Sequence, residues 1–228
     1  MIAYKSEQKD TAWQYGATVN GVTYGSADSL FAGNTTFNQP VTIGNRITSC
    51  AYMFNRCTNF NQPVTIPSSV TNCYDMFSDC TSFNQPITIP SSVTSCGSMF
   101  SNCTSFNQPV TIPSSVTSGL IFYKCTNFNS PVSFDSSFSS MNVFYNCSNM
   151  GSNIYFRGTT HANKYVLFGY MQANAIRKNI HFNSALNADF NGDSYKNSIV
   201  GADITWTAMT NGFYNAAYNI YCYYNYTG

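Results

Sequence analysis

The phrase Phe-Asn-Gln-Pro begins at Phe37, Phe60, Phe83 and Phe106, and Phe-Asn-Ser-Pro follows at Phe128. The intervals are 23, 23, 23 and 22 residues. A hydrophobic residue followed by Phe leads each unit, at Leu30-Phe31, Met53-Phe54, Met76-Phe77, Met99-Phe100, Ile121-Phe122 and Val143-Phe144. A period this short cannot hold a pair of helices, which needs roughly 33 residues or more. It lies instead in the leucine-rich-repeat range of roughly 20–29. One such unit cannot bury its own apolar face, so the units must stack.

The repetition degrades along the chain without stopping. The run Val-Thr-Ile of the early units becomes Val-Ser-Phe at Val132, Ile-Tyr-Phe at Ile154, Ile-His-Phe at Ile180, Ile-Thr-Trp at Ile204 and Ile-Tyr-Cys at Ile220. Each run alternates apolar, polar and apolar, the period-2 signature of a half-buried strand. Flanking prolines in Gln-Pro-Val-Thr-Ile-Pro hold the strand to three or four residues. Between strands, Val70, Cys73, Met76 with Phe77, and Cys80 recur at three- to four-residue intervals. That spacing predicts a short helical turn rather than a full helix. The expected fold is a repeat solenoid, a leucine-rich-repeat-like right-handed superhelix of short parallel β-strands and short helical turns. About nine rungs at the ~4.8 Å strand spacing give a rod roughly 40 Å long.

The words Thr-Ile-Pro-Ser-Ser-Val-Thr-Ser, followed by an aromatic and Cys-Thr-Ser, resemble the BspA-like leucine-rich repeats of bacterial and protist surface proteins. The half-unit Met-Phe, Cys, Phe-Asn-Gln-Pro is similar to repeats of mycoplasma and Gram-positive surface lipoproteins. The resemblance is dense from Leu30 to Met150 and faint beyond. It departs from the BspA pattern by one extra residue between Phe and strand, and by one fewer in Ser-Cys-Gly-Ser-Met-Phe. The resemblance implies a solenoid with a binding or adhesive role and no enzymatic activity.

Only 8% of the chain is charged and its net charge is +1, against roughly 25% charged residues in an ordinary globular protein. Such a surface offers no electrostatic attraction to nucleic acid or to an acidic membrane. No apolar run approaches the ~20 residues of a membrane span. The start of the chain, Met-Ile-Ala-Tyr-Lys-Ser-Glu, carries no signal-peptide pattern, and synthesis in a cytosol is the expectation. A charge-poor, Ser/Thr/Asn-rich and tyrosine-rich surface is common among extracellular binding surfaces and virion parts.

Cys57, Cys80, Cys103, Cys125 and Cys147 form one column, and Cys50, Cys73 and Cys96 a second; Cys222 stands alone at an inward strand position. Rungs ~4.8 Å apart fall inside the Cα separation a disulfide tolerates. Odd counts in both columns would nevertheless leave thiols unpaired. Parallel columns also point the same way, whereas zinc needs four ligands converging on one point. The expected role is therefore packing, as small buried thiols. Gly33, read as the first unit's member of the longer column, fits a plug better than a ligand. Asn61, Asn84, Asn107 and Asn129 stack likewise and are expected to satisfy backbone groups at the turn before each strand.

The outward strand position reads Thr42, Thr65, Thr88, Thr111, Ser133, Tyr155, His181, Thr205 and Tyr221. Threonine suits an exposed strand, and one threonine per rung is too few for an ice-binding face. Toward the carboxyl end the row turns aromatic. Tyr155, His181 and Tyr221, with Tyr214, Tyr218, Tyr223 and Tyr224 nearby, make a candidate sugar- or protein-contact surface. Asp189, Asn191 and Asp193 resemble half a calcium loop without its terminal Glu. His161 and His181 lack a matching Cys or carboxylate cluster, and no Ser–His–Asp grouping or phosphate-cradling loop is present. No metal, cofactor or catalytic residue is expected.

Three regions follow. Residues 1–29 are an N-terminal cap or attachment arm containing a hairpin around Asn20-Gly21. Residues 30–150 are regular 22–23-residue repeats, and residues 151–228 are degenerate repeats ending in a Tyr-rich C-terminal cap. The expected function is a non-enzymatic solenoid on a bacteriophage virion, as a tail or head decoration that recognises the host. The alternative is a bacterial cell-surface adhesin fragment. Expected partners are other virion proteins or a host-surface protein or glycan, with homo-oligomerisation open and neither nucleic acid binding nor membrane insertion.

Overall fold

A computed structural model describes residues 18–19, 22–23, 25–116, 119–135, 143–151, 153–157, 178–183, 207–209, 212–215 and 220–226. The repeat does stack, but the way each rung folds departs from the sequence reading. Between Cys50 and Cys57 the amides alternate in direction. Met53, Asn55 and Cys57 donate back three residues, to the carbonyls of Cys50, Tyr52 and Phe54 at 2.9 to 3.2 Å. The amides between them, on Cys50, Tyr52, Phe54 and Arg56, donate to Asn72, Tyr74, Met76 and Ser78 of the next rung at 2.8 to 2.9 Å. A helix would direct every amide inside its own segment; here half of them bind the neighbouring rung.

The expected helical turn is therefore corrected to a chain of hydrogen-bonded turns, and the described residues contain no helix. The backbone reason is visible in φ. Tyr52 (φ 58°) and Arg56 (φ 59°) are left-handed, as are Asp75, Asp79, Ser98 and Asn102 in the next two rungs. A left-handed residue every few positions re-aims the peptide planes so that N–H groups point along the stack. Gly33 (φ 75°) belongs to this series. Its amide binds Asn55 as that of Arg56 binds Ser78, whereas Asn34 binds Phe31 as Cys57 binds Phe54. Asn34, not Gly33, is thus the first rung's counterpart of the longer cysteine column.

Two columns of phenylalanine fill the interior. Phe54, Phe77, Phe100, Phe122 and Phe144 form one, and Phe60, Phe83, Phe106 and Phe128 the other, all buried. Ring centroids lie 4.0 to 4.6 Å apart within a rung. Along each column, rings of neighbouring rungs lie 5.4 to 6.0 Å apart. Each buried ring contributes about 2–3 kcal/mol through apolar burial, with a further increment from the offset stacking. Val and Ile of the strand runs close the opposite wall: Val64 and Ile66 are buried while Thr65 between them is exposed.

Nine strands are described. β1 (Thr18–Val19) pairs antiparallel with β2 (Val22–Thr23), with Val19 opposite Val22. A seven-stranded sheet follows, made of β3 (Val110–Ile112), β4 (Val132–Phe134), β5 (Asn153–Phe156), β6 (Lys178–Asn183), β7 (Thr207–Met209), β8 (Gly212–Asn215) and β9 (Ile220–Tyr226). Its order is β3-β4-β5-β6-β9-β8-β7; pairing is parallel from β3 through β6 to β9, then antiparallel through β8 to β7. The earlier runs at 41–43, 64–66 and 87–89 alternate in burial without strand pairing.

This topology corrects the expected count of nine rungs. β6 pairs directly with β9, so no strand stands between them where the run at Ile204 was expected; residues 204–206 lie outside the described ones. The register also differs. Ile180 faces Cys222 rather than Ile220, and His181 faces Tyr223 rather than Tyr221. A longer final strand slides by two residues without exchanging its faces, because side chains alternate with period two. Residues 158–177 and 184–206, including His161 and the Asp189–Asp193 segment, lie outside the described residues.

Candidate functional site

The outward face of the sheet carries two adjoining rows. In the first, register aligns Thr111, Ser133, Tyr155, His181, Tyr223 and Gly212. In the second, Asn153, Asn179, Tyr221 and Tyr214 are aligned. The inward neighbours Ile154, Phe156, Ile180, Ile220 and Cys222 are buried, which holds the strands in this orientation. Tyr155, His181, Tyr221, Tyr223 and Tyr214 are each half-buried.

The aromatic rings in these rows stack along the sheet. His181 lies between Tyr155 and Tyr223, with centroids 4.9 and 5.1 Å away and planes 20° and 18° from parallel. Tyr214 and Tyr221 stack at 5.4 Å and 8°. Asn153 donates its amide to the Tyr155 hydroxyl at 3.0 Å. Neighbouring strands at ~4.8 Å, parallel from β5 to β9 and antiparallel at β9–β8, bring in-register aromatic side chains to this separation without further adjustment. Beside the rows, Arg157 meets Asp135 at 3.5 Å, both partly exposed, a pair that contributes little to stability.

Tyr155, His181, Tyr214, Tyr221 and Tyr223 thus come together on one face. Tyr218 lies outside the described residues, and Tyr224 is described only as backbone of β9. Sequence reasoning missed Asn153, Arg157, Gly212 and Met209. Their place beside the aromatic rows depends on strand ends and on the β7–β8–β9 meander, which no repeat pattern encodes.

The cysteines occupy the interior. All nine are free and buried. Cys57, Cys80, Cys103, Cys125 and Cys147 donate their thiols to the carbonyls of Phe31, Phe54, Phe77, Phe100 and Phe122 in the preceding rung, at 2.8 to 3.0 Å. They are hydrogen-bonded ties between rungs as well as space fillers. Burial pushes the thiols of Cys96 and Cys147 up to about 12. Burial and the nearby Asp28 carboxylate do the same to Cys50. Cys73, Cys80 and Cys103 are raised further, and Cys125 and Cys222 stand well above the ordinary thiol value, burial being the main cause throughout. A thiol held protonated in this way is a poor nucleophile and a poor metal ligand.

The asparagines form a second tie. Asn38, Asn61, Asn84 and Asn107 each accept, through Oδ1, the backbone N–H of Asn61, Asn84, Asn107 and Asn129 respectively, at 2.8 to 2.9 Å. Asn129 accepts from Gly151 at 2.8 Å. Gln62, Gln85 and Gln108 add side-chain bonds to the same oxygens.

A family model described as "Mycoplasma protein of unknown function, DUF285" matches residues 25–136 and again 68–157, together more than half of the chain. No curated protein and no solved structure matches the chain.

Proposed function

The chain belongs to the DUF285 family of mycoplasma proteins of unknown function, and from that premise we propose a non-enzymatic recognition solenoid. It is carried on a bacteriophage particle as a tail or head decoration and contacts the host surface. The observation that carries this reading is the change along the outward row from exposed threonine to stacked Tyr155, His181 and Tyr223, with Tyr214 and Tyr221 alongside. Half-buried aromatic side chains with polar tips are the common currency of glycan and protein contact. Nine buried free thiols support folding in a reducing compartment, which is where virion proteins are made.

A second reading, a bacterial cell-surface adhesin, is favoured by family membership, since mycoplasmas are bacteria. Two measurements separate them. Mass spectrometry of gradient-purified particles should detect the chain, and particles carrying Tyr214→Ser with Tyr221→Ser should adsorb to host cells about tenfold less well. Absence from particles, with antibody labelling of intact bacteria, would establish the second reading instead. Unchanged adsorption by the double variant would remove the aromatic face from either.

A further inference from the structure

The row Tyr155–His181–Tyr223 meets Gly212 on β8, directly opposite Tyr223. No other residue fits there: a Cβ on Gly212 would stand 1.8 Å from the Cys222 carbonyl oxygen. The next side chain in the row is Met209 on β7, opposite Gly212, and its methyl lies 3.2 Å from that same Cβ position. The outward face therefore has a gap in its side-chain row at Gly212, flanked by strands two spacings apart, about 9–10 Å between backbones, and the Met209 methyl lies over it. Tyr223 flanks this slot on one side, Met209 flanks it on the other with its methyl as a removable cover, and the stacked Tyr214–Tyr221 pair stands beside it.

We propose that this slot takes one pyranose ring of a neutral glycan, an inference that rests on the recognition reading above. A sugar ring presents an apolar C–H face that packs on an aromatic wall, and hydroxyls at its rim that bond to tyrosine and amide groups. Asn179 and the Tyr214 and Tyr221 hydroxyls supply such groups in the adjoining row. Met209 is the adaptable wall: an unbranched thioether swings aside at low cost and repacks against the inserted ring. Among the described residues, the positions around the slot, Asn179, Tyr214, Tyr221, Tyr223 and Met209, bear no formal charge, which selects a neutral sugar over a sialylated or uronic one.

The test uses the full chain with its methionine methyls labelled for NMR, the Met209 signal being assigned by Met209→Leu. The probes are methyl β-D-glucopyranoside, methyl β-D-galactopyranoside and N-acetylglucosamine, with N-acetylneuraminic acid as the acidic comparison. The expected result is a saturable shift of the Met209 methyl with at least one neutral probe, with a dissociation constant on the order of millimolar for a single ring. The other methionine methyls stay still, and Tyr214→Ser weakens binding severalfold. No saturable shift with any neutral probe, or an equal response to N-acetylneuraminic acid, overturns the proposal. Its failure is distinct from that of the recognition reading: in that case the Met209 methyl never moves while the Tyr214→Ser, Tyr221→Ser particles still lose adsorption.

Discussion

The rungs from Cys50 to Cys103 and the sheet from Val110 to Tyr226 bury similar side chains but are held by different hydrogen bonds. In the rungs, left-handed residues turn alternate amides onto the next rung, and Asn, Cys and Thr side chains add further ties. From Val110 ordinary parallel ladders join these ties, which persist as far as Cys147, and the final strands reverse into an antiparallel meander. Turn-based stacking fixes nearly every position of the 23-residue unit, because each one packs, ties or turns. Strand-based stacking fixes only the inward face and leaves the outward face to vary. Aromatic residues accumulate where variation is free.

Alkaline pH should break the rungs most severely. Unfolded thiols ionise near pH 8.5, whereas Cys50, Cys96 and Cys147 hold their protons to about 12. The folded pKa being the higher, stability is intact below about pH 8 and declines as pH climbs from 8.5 toward 12. The slope is about 1.4 kcal/mol per pH unit for each such thiol. Urea midpoints at pH 7.5 and 10 measure it; an unchanged midpoint would mean that the thiols are not held protonated.

Truncation of one stacked ring comes next. Phe77→Ala should cost about 3–5 kcal/mol, while Tyr221→Ala on the outward face should cost under ~1 kcal/mol. Equal losses in chemical denaturation would erase the distinction between scaffold and face. Asn84→Ala removes the acceptor for the Asn107 amide and should cost about 1–3 kcal/mol, with Asn84→Asp restoring much of it. The smallest effect tests the left-handed positions. Asn102 has φ 56°, so Asn102→Gly should be neutral or stabilising by a few tenths of a kcal/mol, while Asn102→Val should cost about 1–2 kcal/mol. A harmless valine would contradict the turn geometry.

Much of the scaffold was legible in the sequence. The spacing of Phe-Asn-Gln-Pro set the rung, and the alternation in Val-Thr-Ile set which side chains face inward. The helical turn was misread because three- to four-residue apolar spacing is common to helices and to successive turns. What separates them is the destination of each amide, which no side-chain pattern records. Gly33 was assigned one place off for a related reason: without φ, a glycine replacing Arg56 and one replacing Cys57 look alike. On the outward face, the aromatic residues were legible as composition, but their order was not, since His181 pairs with Tyr223 only because β6 and β9 are direct neighbours.

The sequence by itself determined that units of 23 residues must stack, with phenylalanine and cysteine inside and threonine outside, because none can bury its apolar face alone. Only the tertiary structure decided that the cysteines tie rungs through Phe carbonyls, that the sheet ends in a meander, and that Gly212 interrupts the aromatic row. Those features depend on which backbone groups of distant segments meet. Side-chain periodicity selects a face; the hydrogen bonds between rungs select the register.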